Sequence, residues 1–278
     1  MEKEIKLLAT DLDGTLFHPK RRKKLIATKN VKFIDRFIAD GNKVVLVSGR
    51  SPRFAQKVID KLGHDVDVIG MNGAYTISSG KVINEHFLDF PIEKMLFDLK
   101  SLFPVLGTML ISRNYPLLIN VPPVGRFIEN FYRFYYWTLG NYAEDYQFSN
   151  EEFLEEIQSG QVYKLMIFFG ISKRGIKIAS NANRYLREHY KDQFEASWTG
   201  GFIEITPAGV SKANGIEKYI AANDIKRSNV YVVGDSGNDI SMFHAFYDNS
   251  FCMKHAHKKV RKYAKTIIRR FHHLEKHI

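Results

Sequence analysis

The stretch Ile5-Lys6-Leu7-Leu8-Ala9-Thr10-Asp11-Leu12-Asp13-Gly14-Thr15-Leu16 decides the fold. Residues 5–10 form a short apolar run, too short for a helix, that ends abruptly in two carboxylates and a glycine. Such a run, apolar on both faces, predicts a buried strand of a parallel sheet. Three more runs have the same character: Lys43–Val47, Val66–Gly70 and Asn229–Val233. Helical patterns lie between or after them. Thr28–Ala39 places Val31, Ile34 and Ile38 on one face and stops at Gly41, and Pro52–Leu62 starts on a proline and stops at Gly63. Lys212–Ala222 and Asp239–Phe246 follow the same plan. Strands alternating with helices imply right-handed crossovers and an α/β, doubly wound, Rossmann-like parallel sheet.

The middle of the chain breaks this rhythm. Gly107–Arg113 and Pro116–Val121 flank Asn114-Tyr115 as a hairpin, Val162–Phe169 is a further strand, and Phe194–Thr199 meets Phe202–Thr206 through Gly200-Gly201. The expected organisation is a core of residues 1–84 and 201–278 carrying an inserted α+β cap domain of residues 85–200, joined by short connections.

Composition sets the class. The 278 residues are 45% hydrophobic and 26% charged, with 19 Gly and 8 Pro, which excludes wholesale disorder and collagen-like repeats. One cysteine, Cys252, excludes an intrachain disulfide framework. No apolar run is long enough to span a bilayer, and the mixed-charge start is not a signal peptide, so the expectation is a cytoplasmic protein without a membrane partner. The net charge is +11, which favours anionic partners. The surplus lies outside the middle: residues 85–200 hold twelve Lys/Arg against fourteen Asp/Glu, whereas Lys254 to the end holds nine against Glu275 alone. A second basic cluster is Lys20-Arg21-Arg22-Lys23-Lys24.

Open parallel sheets bind ligands outside the carboxyl ends of their strands. Strand one ends in Asp11 and Asp13, able to serve as nucleophile and proton carrier. Strand two ends in Ser48-Gly49-Arg50, where a hydroxyl and a backbone N–H beside a helix start suit a phosphate. The last strand ends in Gly234-Asp235-Ser236-Gly237-Asn238-Asp239, hard oxygen donors suited to Mg²⁺. Lys212 opens a helix, a position that disfavours a cation and so points to an anionic partner. Each signal has a plainer reading as a turn or cap; the convergence of three distant strands on one sheet edge favours function.

This pattern resembles the haloacid dehalogenase superfamily of phosphatases, Cof-type, subfamily IIB. Asp11-Leu12-Asp13-Gly14-Thr15-Leu16 is similar to its first motif, Ser48 to its second, Lys212 to its third and Gly234–Asp239 to its fourth. Met71-Asn72-Gly73-Ala74 resembles the Asn-Gly-Ala that follows the third strand. Two departures stand out. Ala213 replaces a glycine after the lysine, and Lys254-His255 replaces Gly-Asn in a Met-Gly-Asn-Ala segment.

The resemblance implies a Mg²⁺-dependent phosphatase of small phosphorylated metabolites. It makes Asp11 the nucleophile and Asp13 the general acid/base. Mg²⁺ would be held by Asp11, the Asp13 carbonyl and Asp235, with Asp239 supporting that shell. Leu12, Ser48, Gly49, Lys212 and Asn238 would hold the phosphoryl group. A sugar phosphomutase or phosphotransferase on the same fold stays open, as does a nucleic-acid-binding protein using the basic tail. The nine aromatic residues between Phe127 and Tyr146 read as helix-to-sheet packing in the cap, Arg113 as a solvated turn residue, and His272, His273 and His277 as exposed tail residues.

Overall fold

The computed structural model describes residues 4–20, 24–121, 129, 130, 133 and 137–278. The chain divides into two compact units, Met1–Glu85 with Ser211–Ile278, and His86–Val210.

The first unit is built on an eight-stranded sheet. Its strands are β1 (Leu7–Thr10), β2 (Lys43–Val47), β3 (Asp67–Gly70), β4 (Tyr75–Ser78) and β5 (Lys81–Glu85), and three strands from later in the chain, β12 (Val230–Gly234), β13 (Ser250–Met253) and β14 (Thr266–Ile268), complete it in the order β14-β13-β12-β1-β2-β3-β4-β5. From β14 to β3 the pairing is parallel; β4 and β5 are antiparallel. The central strands β1 and β2 are buried almost throughout, as their unbroken Val/Leu composition requires. Helix Pro52–Leu62 shows how sequence sets its bounds. Ser51 accepts from the Phe54 N–H, Pro52 takes the first turn, and Gly63 adopts the left-handed conformation that ends it. Helix Thr28–Ala39 buries Phe33, Ile34 and Phe37, a stripe rotated from the expected Val31-Ile34-Ile38 because the two phenylalanines carry the larger apolar area.

The second unit holds a six-stranded sheet. Its strands are β6 (Gly107–Ser112), β7 (Leu118–Asn120), β8 (Gln147–Phe148), β9 (Val162–Phe168), β10 (Phe194–Thr199) and β11 (Phe202–Pro207), in the order β10-β11-β9-β6-β7-β8. All pairings are antiparallel except β7 with β8. Helices Ile92–Leu102, Asn150–Ser159 and Lys173–His189 bury Leu96, Phe153 and Leu186 in a core shared with Leu110, Leu165 and Ile203 of the strands.

The second domain boundary falls between Val210 and Ser211, not at 200/201. Phe202–Pro207 pairs with β10 and β9, so the return strand belongs wholly to the six-stranded sheet. The hairpin of β4 and β5 over Ser79-Gly80 and the strand β13 also exceed the expected set. Tail residues 258–261 and 266–268 form a short helix and the edge strand that close the first unit. His272 and His273 are half-buried rather than exposed, because Phe271 and Leu274 of the same turn are fully buried beside them; His277 is exposed. Arg113 lies over the Phe87 ring at 5.1 Å rather than in solvent alone. Of the aromatic segment, 127, 128, 131, 132 and 134–136 lie outside the described residues, as do 21–23 of the basic cluster. Trp137 is exposed and Tyr142 is buried. Among the described residues no helix is long and apolar enough to cross a membrane.

Candidate active site

Parallel register brings the carboxyl ends of β1 and β12 side by side, with Thr10 opposite Val233. The chain leaves β1 through a tight turn in which Leu16 N–H reaches the Asp11 carbonyl and Phe17 N–H the Leu12 carbonyl. Gly14 turns it, at φ +78°, and a Cβ there would lie 2.2 Å from an Asp235 carboxylate oxygen. The two acidic motifs therefore touch through a position that only glycine fits.

Lys212 is fully buried at the start of helix Lys212–Ala222, and its Nζ donates to Asp11 Oδ1 and to Asp239 Oδ1, each at 2.6 Å. The other Asp239 oxygen, Oδ2, accepts from the Asp235 and Ser236 N–H groups at 2.8 Å and from Ser236 Oγ at 3.2 Å. Gly234 makes room for this side chain, since a Cβ there would meet Asp239 Cγ at 2.3 Å. Asp239 thus has both oxygens engaged, and it fixes Lys212 and the Asp235 loop together.

Asp11 and Asp235 are differently placed. Asp11 is buried, and its Oδ2 has no hydrogen-bond partner among the described residues. Asp235 accepts from Thr15 Oγ1 at 3.2 Å through Oδ1, and its Oδ2 lies 3.4 Å from His255 Nε2. Oxygens of Asp11, Asp235 and Asp239 lie within 4.8 Å of one another. Three carboxylates against one ammonium leave an excess of negative charge, and an orphaned buried oxygen is costly. A divalent cation with oxygen preference would offset the excess charge, so the donor set fits Mg²⁺.

The electrostatics agree. Burial, followed by the charges of Asp239 and Asp235, pushes the Asp11 carboxyl up to about 8 against the pull of Lys212. Asp235 is also raised, by burial first and then by Asp239. Burial opposes the Lys212 charge, yet Asp11 and Asp239 outweigh it and hold the ammonium above its ordinary range.

Asp13 stands apart from this cluster. Arg50 grips its carboxylate with both arms, Nε to Oδ2 at 2.6 Å and Nη2 to Oδ1 at 2.8 Å, and Lys20 lies 3.8 Å away. Burial would raise this carboxyl, but the Arg50 fork outweighs it and lowers Asp13 below the usual carboxylate range. The metal expectation for Asp13 involved its backbone carbonyl; its side chain is committed to Arg50.

Ser48 is buried, and its Oγ accepts from the Arg50 N–H at 3.2 Å beside half-buried Gly49. Leu12 is fully buried in the turn. Asn238 Nδ2 donates to Asn72 Oδ1 at 3.0 Å, and Asn72 N–H donates to the Ser48 carbonyl at 2.9 Å. Asn72 holds a left-handed φ of +58°, next to Met71 at +49°. Such strain in non-glycine residues collects at functional sites. Asn72 therefore ties the second and fourth motif loops together. Arg50, Thr15, Asn72 and His255 carry contacts that the sequence reading assigned no role. All four lie in segments that bear on the family resemblance, the one signal that marks them.

A family model for haloacid dehalogenase-like hydrolases matches residues 8–272. The 5-amino-6-(5-phospho-D-ribitylamino)uracil phosphatase YwtE of Bacillus subtilis is 26% identical over 259 residues, spanning 86% of this chain and 84% of its own. The phosphoglycolate phosphatase of Methanoculleus marisnigri is 24% identical over 241 residues, spanning 87% and 81%. The solved structure of the HAD subclass IIB sugar phosphatase BT4131 superposes with a TM-score of 0.72 at 21% identity, covering 94% of this chain and 92% of that one. With that match running from β1 into the last turn, the chain belongs to the haloacid dehalogenase-like hydrolase family.

Proposed function

We propose that this enzyme hydrolyses phosphate monoesters of small metabolites through a phosphorylated Asp11, with Mg²⁺ as cofactor. The observation that carries the reading is Asp11 itself: one oxygen is pinned by Lys212 and the other is buried without a partner. A carboxylate so oriented presents one lone pair to an incoming phosphorus. Curated relatives named for action on a phosphorylated ribitylaminouracil and on phosphoglycolate support small phosphorylated metabolites as the substrate class.

Asp11 Oδ2 attacks phosphorus in line, and the bond from phosphorus to the ester oxygen breaks. Asp13 gives its proton to the departing alkoxide. Water then attacks the phosphorus, passes a proton to Asp13, and the acyl-phosphate bond opens to release phosphate and restore Asp11. Asp13 must carry a proton for the first step, although Arg50 favours its ionised form. The arriving phosphoryl group offers the Arg50 guanidinium a competing anion, which loosens its grip on Asp13. Lys212, the Ser48 hydroxyl, Asn238 and N–H groups near Leu12 and Gly49 neutralise the phosphoryl oxygens. Asp11 and Asp235 would hold Mg²⁺ directly, together with the Asp13 carbonyl, while Asp239 orients Lys212 and the loop. The cation supplies charge neutralisation between an anionic nucleophile and an anionic substrate. A cytoplasmic setting fits the lone, buried, unpaired Cys252.

Asp13→Asn, followed by rapid quench with two substrates, tests the assignment. A sugar phosphate, with a poor leaving group, loses about 10²–10⁴-fold in its first step. p-Nitrophenyl phosphate needs little protonation, so it gives a burst of nitrophenolate, a slow steady state and phosphate trapped on Asp11. Equal losses for both substrates with no phosphorylated Asp11 would reverse the two roles. Full turnover after chelation would remove Mg²⁺ from the scheme, and transfer of phosphate back to a sugar in place of free phosphate would make the enzyme a mutase.

A further inference from the structure

The register that builds the acidic cluster also builds a second site. Met253 lies opposite Ile268 at the ends of β13 and β14, so Lys254-His255 and Arg269-Arg270 emerge side by side at the same sheet edge. Lys254 N–H closes the pair on the Ile268 carbonyl at 2.7 Å. Opposite them stands the first turn of helix Thr28–Ala39, with Lys29. Asn30, buried, holds the walls: its Nδ2 donates to the Leu16 and His18 carbonyls at 2.8 and 3.3 Å, and its Oδ1 lies 3.2 Å from His272 Nδ1. Between these walls is a cavity of about 930 Å³.

Its lining carries Lys29, Lys254, Arg269 and Arg270 with four imidazoles, and no Asp or Glu. Among the described residues Lys29, Lys254 and Arg269 form no ion pair. Burial, then His255 and Arg270, lowers His18; burial, then His273, Lys29 and Arg270, lowers His272. Arg270 Nη1 donates to His18 Nε2 at 3.2 Å, and the His18 ring stacks on His255 at 3.9 Å. His255 in turn meets Asp235. The cavity is therefore walled off from the acidic cluster by two histidines rather than being part of it.

We propose that this basic cavity binds an oligophosphate: a chain of two or three phosphoryl groups, distinct from the phosphoryl group that Asp11 attacks. Unpaired cations in a concavity concentrate anions. Arginine forks take phosphate oxygens in pairs. The volume lies in the range of small-ligand pockets and exceeds the needs of one phosphate. The concave shape favours a compact polyanion over the extended backbone of a duplex. The oligophosphate can arrive as a second phosphorylated end of the substrate or as a separate effector; both share this chemistry.

The experiment is calorimetry of the full chain with sodium tripolyphosphate, without Mg²⁺, so that the bare carboxylates repel the anion from the acidic cluster. The expected result is saturable binding at one site, weakened at least about tenfold in Lys29→Gln/Arg269→Gln. Lys254→Gln, beside Arg269 on the same wall, provides a second reading should the double variant melt early. Hydrolysis of p-nitrophenyl phosphate with excess Mg²⁺ stays at the wild-type rate in both variants. If the site serves substrate, kcat/KM for a phosphate monoester that carries a diphosphate at its far end falls in the variants while that for p-nitrophenyl phosphate does not. If it serves an effector, tripolyphosphate shifts p-nitrophenyl phosphate hydrolysis in the wild type and not in the double variant. Absence of saturable binding, equal affinity in wild type and both variants, or displacement of tripolyphosphate by a stoichiometric short DNA duplex overturns the proposal. Because binding is read without turnover, its failure is separate from any failure of the Asp11 mechanism.

Discussion

The acidic cluster and the basic cavity share one edge of one sheet and treat charge in opposite ways. In the cluster every charge but one carboxylate oxygen is satisfied internally: Lys212 bridges Asp11 and Asp239, and Asp239 is closed by two N–H groups and a hydroxyl. In the cavity the cations are exposed and Lys29, Lys254 and Arg269 have no carboxylate partner among the described residues. Burial explains the difference. A buried charge without a partner costs several kcal/mol, so the cluster must be over-determined, whereas water carries the cost for exposed cations. The cluster is thus built for rigidity, the cavity for capture.

The sharpest way to break this contrast is to remove the cation at the centre of the cluster. Lys212→Met leaves Asp11 and Asp239 buried and facing each other. The expected loss is about 3–5 kcal/mol of unfolding free energy, with turnover abolished. Urea denaturation monitored by circular dichroism measures it; a loss under about 1 kcal/mol would mean that water reaches these groups and that the cluster is not sealed.

Gly14→Ala comes next. It places a methyl group into the Asp235 carboxylate at a left-handed φ. About 1–2 kcal/mol of backbone strain is expected, with kcat/KM down about 10²-fold as Asp11 and Asp235 are pushed apart. Retained activity would show that the first and fourth motif loops move independently.

These two sites also show what was legible beforehand. The ends of β1, β2 and β12 could be read because buried parallel strands are unbroken apolar runs, and polar residues after them stand out. Strand β13 is as buried, but Cys252 and Met253 within Ser250–Met253 give a mixed run with no bounding signal. The return strand Phe202–Pro207 alternates buried and half-buried positions, so its sheet is set by pairing with β9, which no local pattern reveals. Asp11, Lys212 and Asp239 could be placed at one edge through the fold. The grip of Arg50 on Asp13, the Asn72–Asn238 bond and the contact of His255 with Asp235 depend on side-chain reach across loops 37, 166 and 20 positions apart. Sequence separation of that kind carries no periodic signature.

The pH dependence sharpens the contrast further. In the metal-free protein Asp11 titrates near 8, above its unfolded value of 3.8. Between these values the folded state holds a proton that the unfolded state has released. Stability is therefore greatest below about pH 4 as far as this group is concerned, and falls as pH rises towards 8. Mg²⁺ binds the ionised cluster and offsets the fall at the upper end. Thermal melts across this window, with chelator and with Mg²⁺, should diverge as pH rises, and Asp11→Asn should remove its share of the slope. Parallel curves would mean that Asp11 stays ionised without metal.

The smallest effect is expected on the basic side. Lys254 is exposed and pairs with no carboxylate among the described residues, while Arg269 and Arg270 line the same cavity. Removing its charge gives up no ion pair and relieves some repulsion, so Lys254→Gln should change stability by no more than about 0.5 kcal/mol. Its direction is the informative part: a slight gain at low salt that fades as added ions screen the remaining cations. Paired urea titrations at low and high salt measure both. A loss above about 1 kcal/mol at either salt would show that Lys254 is held by a structural anion-like partner, and the cavity would then be a closed part of the fold rather than a site held open for capture.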